Sequence, residues 1–315
     1  MSAQLSRTSN RRRWYRWLLF AVILSAVIWF IARNFKQVSQ YSFEFNRLLL
    51  AFSFLSVLCA FLFRFGVWVR LASLFGLDAP LRRAGRAYFL SILGRYIPGK
   101  VGLALVRIEA YSDYPSEKVI MATGMELVAA LTAALLLAFI GLALSPSHFP
   151  SYLRWVALLC IAPLLAALSP PVLRRVSNAV LRLAGREKIE IRFPFKANLA
   201  LVGLYTIPGF LHGCGLFLLI NSLSHISTHH YLAVTGAYYT ASLAGLIAFF
   251  APGGLGVREG VLFLVLPALV GRETAIVAAI LIRLVTIVAE VVLAAGFTAI
   301  AGIKAGSTQE KQIHR

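Results

Sequence analysis

The chain has 315 residues, of which 59% are hydrophobic, and a mean hydropathy of +0.79. A soluble core needs far less apolar side chain, so the composition excludes a soluble globular protein and points to an all-α polytopic membrane protein. The net charge of +19 does not imply a nucleic-acid partner. The basic residues cluster at the ends of apolar runs, where they set topology and contact anionic lipid at the cytoplasmic face.

The N-terminal stretch 1–16 holds Arg7, Arg11, Arg12, Arg13 and Arg16, and an apolar run from Trp17 to Ile31 follows. Ile31-Ala-Arg-Asn is a poor cleavage site, so an uncleaved first helix that starts in the cytoplasm is expected. Apolar runs at 17–33, 48–70, 119–144, 153–169, 198–222 and 275–302 predict six crossing helices, each close to the roughly 20 residues a bilayer requires. Lys and Arg concentrate in 70–86, in the linker 170–197 and in the tail 304–315, and are nearly absent from 34–46, 145–152, 223–231 and 271–274. The first set is expected on the cytoplasmic side, with both termini, most simply at a bacterial inner membrane. Besides the basic stretches, 17–303 reads as a single transmembrane domain, with no room for a soluble catalytic domain. Cys59, Cys160 and Cys214 fall inside apolar runs and read as core residues.

Two further apolar regions, 87–108 and 232–270, are interrupted by matching motifs: Pro98-Gly99-Lys100-Val101-Gly102 and Pro252-Gly253-Gly254-Leu255-Gly256. Pro removes a helix donor and Gly costs backbone entropy, so neither motif sustains a helix. Lipid tolerates irregular backbone only where protein or a water-filled cavity shields it. Crossing parity makes 87–108 a re-entrant hairpin from the cytoplasmic side with Pro98-Gly99 near its tip. Region 232–270 then enters from the opposite face with Pro252–Gly256 near its tip, although its length also allows two thin crossings. The result is an inverted 3+3 repeat, 48–144 against 198–302, the organisation of transporters with a midplane site.

Ionised groups inside these segments are costly unless paired or wetted. Arg64, Arg95, Lys100, Arg258 and Arg283 are of the type that binds a phosphate-bearing headgroup, helped by exposed N–H groups of the glycine-rich breaks. Glu126, Glu259 and Glu290 would balance charge or contact a cationic headgroup. Arg283 and Glu290, seven apart, share one helix face. Structural ion pairing or snorkelling is the competing reading, and it fits Arg64, Arg107 and Glu109 better than a binding role. His212, beside Pro208-Gly209, reads as a packing hydrogen bonder. His225, His229 and His230 have no acidic or Cys partner nearby, so no metal or other cofactor is expected. No familiar catalytic signature occurs, so the chain is not expected to be an enzyme.

Gly94-Arg-Tyr-Ile-Pro-Gly-Lys-Val-Gly102, Glu126, Pro252-Gly-Gly-Leu-Gly-Val-Arg-Glu259 and Arg283 together resemble the transmembrane region of lysylphosphatidylglycerol synthases, a flippase-like family, over roughly 15–303. The resemblance implies movement of a lipid between leaflets: an aminoacylated phosphatidylglycerol, or an isoprenoid or glycosylated lipid. Two departures stand out. Glu126 is followed by Leu127 where the family often has Arg, and Ala130 stands where it often has Asp, which weakens the case for a lysyl-lipid. The aminoacyl-transferase domain is missing, so synthesis of that lipid is not expected.

The expected function is translocation of a lipid or lipid-linked headgroup by alternating exposure of a polar cavity between the repeats, alone or beside a lipid-modifying enzyme. One alternative is a membrane-embedded headgroup transferase or hydrolase using Glu126, Glu259 or His212. Another is a non-catalytic accessory that docks a lipid or glycolipid synthase through 170–197.

Overall fold

The computed structural model describes residues 45–96, 102–144, 194–248 and 251–313, with scattered positions between 152 and 182. The described helices are α1 (Arg47–Leu74), α2 (Leu81–Leu93), α3 (Gly102–Ala110), α4 (Ser116–Ala143), α5 (Phe195–Leu223), α6 (Tyr231–Ile247), α7 (Val257–Val265), α8 (Pro267–Val270) and α9 (Arg272–Ile313). Single 3-10 turns at Gly94–Tyr96, Thr228–His230 and Pro252–Gly254 complete them, and no strand occurs among the described residues.

Four of these helices, Arg47–Leu74, Ser116–Ala143, Phe195–Leu223 and Arg272–Ala301, are long and apolar enough to cross a membrane. They correspond to the predicted runs 48–70, 119–144, 198–222 and 275–302. The predicted helix 17–33, and all but scattered positions of 153–169, lie outside the described residues, as do Pro98, Gly99 and Lys100.

The segment 70–86, read as a cytoplasmic loop, ends in helix. Pro80 fixes the entry and α2 starts at Leu81, with its three arginines in the first two turns and a buried apolar face behind them. Arg83 reaches from there to the end of α3, donating to the Ala110 carbonyl at 2.8 Å and to Asp113 at 2.6 Å. The two ends of this helical pair therefore lie side by side. Hydrogen bonding from Arg83 holds the Asp113 carboxyl below the usual carboxylate range. The clamp is thus intact at neutral pH and is lost only as pH falls through that lowered value.

The described arms of the two broken regions are shorter than the four long helices. The 9 residues of α3 and of α7 span only ~14 Å, and the 17 of α6 ~26 Å, against a hydrocarbon core of ~30 Å.

Small residues let the helices approach closely, which is how association proceeds where lipid is as apolar as leucine. On α1, Ser53 Oγ donates to Gly215 O of α5 at 2.7 Å and Ser56 Oγ to Leu211 O at 2.8 Å. Gly141 of α4 lies against Gly236 of α6, and a Cβ on Gly141 would sit 2.4 Å from the Leu232 carbonyl oxygen. α2 packs in the same manner on α9, where Gly85 receives the ring of Phe297.

We expect Gly141→Ala to lower the unfolding temperature in detergent, by an overpacking cost of about 1–3 kcal/mol. Gly66→Ala, which meets nothing within 4 Å, should leave it unchanged or raise it.

Candidate functional site

The two broken segments meet. The turn Gly94–Tyr96 touches the turn Pro252–Gly254, and a Cβ on Gly253 would sit 2.4 Å from the Tyr96 ring. Gly253, Gly254 and Gly256 have φ of 59°, 75° and 84°, a left-handed backbone that side chains rarely adopt. This explains the Pro-Gly-Gly-Leu-Gly spelling of the second break.

Helix α9 holds both breaks from one face. Glu290 forms an ion pair with Arg95 and accepts from Tyr96 Oη at 3.1 Å, tying down the first break. Arg283 donates from Nη2 to the Gly253 carbonyl at 2.7 Å and lies 3.5 Å from Glu259, tying down the second. Its guanidinium also lies 5.6 Å from the centre of the Tyr96 ring. Glu259 in turn accepts from the Gly256 N–H at 2.7 Å, capping the start of α7 where the helix dipole favours a negative charge.

Beside this lies a second group. Glu126 of α4 pairs with Arg107 of α3, accepts from Tyr88 Oη at 3.2 Å and has Arg64 of α1 at 3.9 Å. Arg107 is 1% exposed, sandwiched by Trp68 and Tyr88 with its carbon 3.9 Å from the Trp68 ring centre, and donates to Ser91 Oγ at 2.9 Å. Arg64, Glu126 and Arg283 lie ten or eleven residues from a helix end, ~15 Å along the axis and well inside the apolar helices.

Of the predicted site residues, Arg95, Arg258, Glu259, Arg283 and Glu290 come together around the meeting point, with Pro252, Gly253, Gly254 and Gly256 forming the break itself. Glu126 is buried in the neighbouring group, and Gly102 is the buried first residue of α3. Arg107 takes the structural ion pair that the sequence suggested. Tyr88, Tyr96 and Trp68, which hold the charged side chains, were missed: buried aromatics in an aromatic-rich chain carry no distinguishing signal. His212 donates from Nδ1 to the Pro208 carbonyl at 2.8 Å and stacks on Tyr238, as expected of a packing residue.

Arg258 differs from the other arginines of the cluster. No hydrogen bond or ion pair holds it among the described residues, and its Nε is buried without a partner. Its stem lies against Gly245, where a Cβ would come within 2.5 Å of Cγ, so the helix makes room for it. With Arg283, Glu259, Tyr238 and Ser242 it lines a cavity of about 20 Å³, the space of roughly one water molecule. Five arginines (Arg64, Arg95, Arg107, Arg258, Arg283) face three glutamates (Glu126, Glu259, Glu290) across the described interior, leaving two positive charges.

A family model described as the lysylphosphatidylglycerol synthase TM region matches residues 14–295, and the chain belongs to that family. No curated protein matches it. With four helices among the described residues long and apolar enough to cross a membrane, this makes it an integral membrane protein with a role related to membrane lipid.

Glu126→Gln leaves Arg107 buried without its counter-charge, which should cost about 3–5 kcal/mol and lower the unfolding temperature in detergent. Arg258→Gln breaks no ion pair and should leave that temperature within error of the wild type.

Proposed function

We propose that the chain moves a lipid headgroup across the membrane, through a polar site where the two broken segments meet. The observation that carries this reading is Arg258: a guanidinium at the meeting point of two helix breaks with no acid partner among the described residues. An unpaired charge at this depth is costly to keep, and a fold that keeps one beside irregular backbone gains from it only when a ligand arrives.

The packing supports an inverted repeat of α1–α4 against α5–α9. Exchanging α1 with α5, α2 with α6, α3 with α7 and α4 with α9 maps the contacts onto one another: α4 on α6 becomes α9 on α2, and α3 on α4 becomes α7 on α9. The two turns and the α1–α5 interface map onto themselves. The ion pairs follow with their signs reversed, Arg107 on α3 to Glu126 on α4, and Glu259 on α7 to Arg283 on α9. In this reading both broken regions are re-entrant, and the runs 17–33 and 153–169 bring the crossings to six. The site opens alternately to either face as the units rock about the α1–α5 interface. The chain sits in a bacterial inner membrane with both termini cytoplasmic, and it transports its lipid rather than transforming it.

The test is lipid exchange in proteoliposomes loaded with tail-labelled fluorescent phosphatidylglycerol, read by dithionite quenching. Wild-type protein should empty the inner-leaflet signal. Arg258→Gln and Lys100→Ala should slow it by about ten-fold or more, the equivalent of one lost hydrogen bond to a charged group. Equal, slow quenching in all three proteins contradicts the reading.

A further inference from the structure

The ionised groups of the interior are sorted by exposure. The three glutamates are sealed, with side chains 7% (Glu126), 5% (Glu259) and 0% (Glu290) exposed. Arg64 and Arg95 are 31% and 23% exposed, and Arg258 is half-buried.

The exposure of Arg64 is turned away from the outward stripe of its helix. On α1 the outward stripe runs through Leu55, Cys59, Leu62 and Gly66, all exposed. Arg64 projects from the opposite face, between buried Phe61 and Trp68 on the neighbouring turns. Arg95 follows a run of four buried residues, Ser91 to Gly94, and precedes buried Tyr96. The exposed part of these ionised side chains is therefore guanidinium, and the carboxylates are the more deeply buried.

The unsatisfied atoms point the same way. Nε of Arg64, Arg95 and Arg258, together with Nη1 of Arg283, are buried and without a hydrogen-bond partner. A guanidinium can only donate. The hydroxyl of Tyr205, a residue 4% exposed whose ring lies 5.9 Å from the Arg64 guanidinium, is also unpartnered. The one unpartnered acceptor in the cluster, Glu259 Oε1, already faces Arg283 at 3.5 Å. A set of buried donors with no acceptor is completed by oxygens that carry negative charge, and a phosphate diester or monoester supplies several at once.

We infer that the site takes lipids whose headgroup phosphate is not offset by an amine, and discriminates against cationic headgroups, aminoacylated ones included. This rests on the translocation reading above and narrows its substrate class. An ammonium entering the site would meet Arg64, Arg95 and Arg258, while Glu126 and Glu290 are held in ion pairs by Arg107 and Arg95 and Glu259, which lines the cavity, already faces Arg283 at 3.5 Å.

Two measurements test it, one with transport and one without. In proteoliposomes, three lipids with the same fluorescent tail are compared: phosphatidylglycerol, phosphatidylcholine and the cationic O-ethylphosphatidylcholine. In detergent, the thermal shift given by dihexanoyl-phosphatidylglycerol is compared with that given by its cationic counterpart. Phosphatidylglycerol should move about ten-fold or more faster than the cationic lipid, and it alone should raise the unfolding temperature. Arg64→Gln should narrow both differences. Equal or faster movement of the cationic lipid overturns the inference while leaving translocation standing. If no lipid moves but phosphatidylglycerol alone stabilises the protein, translocation falls and the headgroup assignment stands. If no lipid moves and none stabilises, both fall.

Discussion

The structure depends on one helix face. Arg283 and Glu290, two turns apart on α9, each hold one of the broken segments: Arg283 through the Gly253 carbonyl and Glu259, Glu290 through Arg95 and Tyr96. Backbone that leaves helical geometry inside a bilayer must find protein or water for its N–H and C=O groups. Here α9 supplies side chains of both signs at the right spacing, and the close approach of Tyr96 to Gly253 joins the two breaks to each other. Removing either residue of α9 frees a segment that cannot remain unsupported in lipid.

The cavity beside Arg258, about 20 Å³, is far smaller than a phospholipid headgroup. On the translocation reading the described arrangement is a closed one, which substrate would enter as the broken segments separate. The interfaces that would permit movement are those made of small residues, such as Ser53 and Ser56 of α1 against the backbone of α5. The aromatic enclosure of Arg107 by Trp68 and Tyr88 is a fixed block by comparison. On the proposed reading Glu126 and Arg107 would anchor one unit, and Arg64, Arg95 and Arg258 would offer the binding surface.

Much of this was legible in the sequence, because bilayer physics is restrictive. A stretch of apolar residues bounded by arginines has few options, and α1, α4, α5 and α9 lie where the hydropathy put them. The Pro-Gly-Gly-Leu-Gly spelling marked the break at Pro252–Gly256, and the seven-residue spacing of Arg283 and Glu290 placed them on one face. What the sequence could not assign was the pairing. Nothing in the order of residues says that Arg95 belongs to Glu290, 195 positions away, while Arg258 has no acid partner among the described residues. Arg64 appeared structural from its place in an apolar helix, and only its exposure on the inward face brings it to the site. The start of α2 was also hidden, because arginines that serve as topology signals read as loop whether or not they are helical.

The most direct test of the central claim, that the broken segments enter from opposite faces and meet inside the membrane, is the sidedness of their flanks. Single cysteines at Arg82, Ser112, Thr228 and Arg272, in a chain whose native cysteines are replaced by serine, are exposed to a membrane-impermeant maleimide on intact cells and on inverted vesicles. Positions 82 and 112 should label only from the cytoplasmic side, and 228 and 272 only from the other. Labelling of 82 and 112 from different sides, or of 228 and 272 from different sides, would make that segment a crossing and contradict the account.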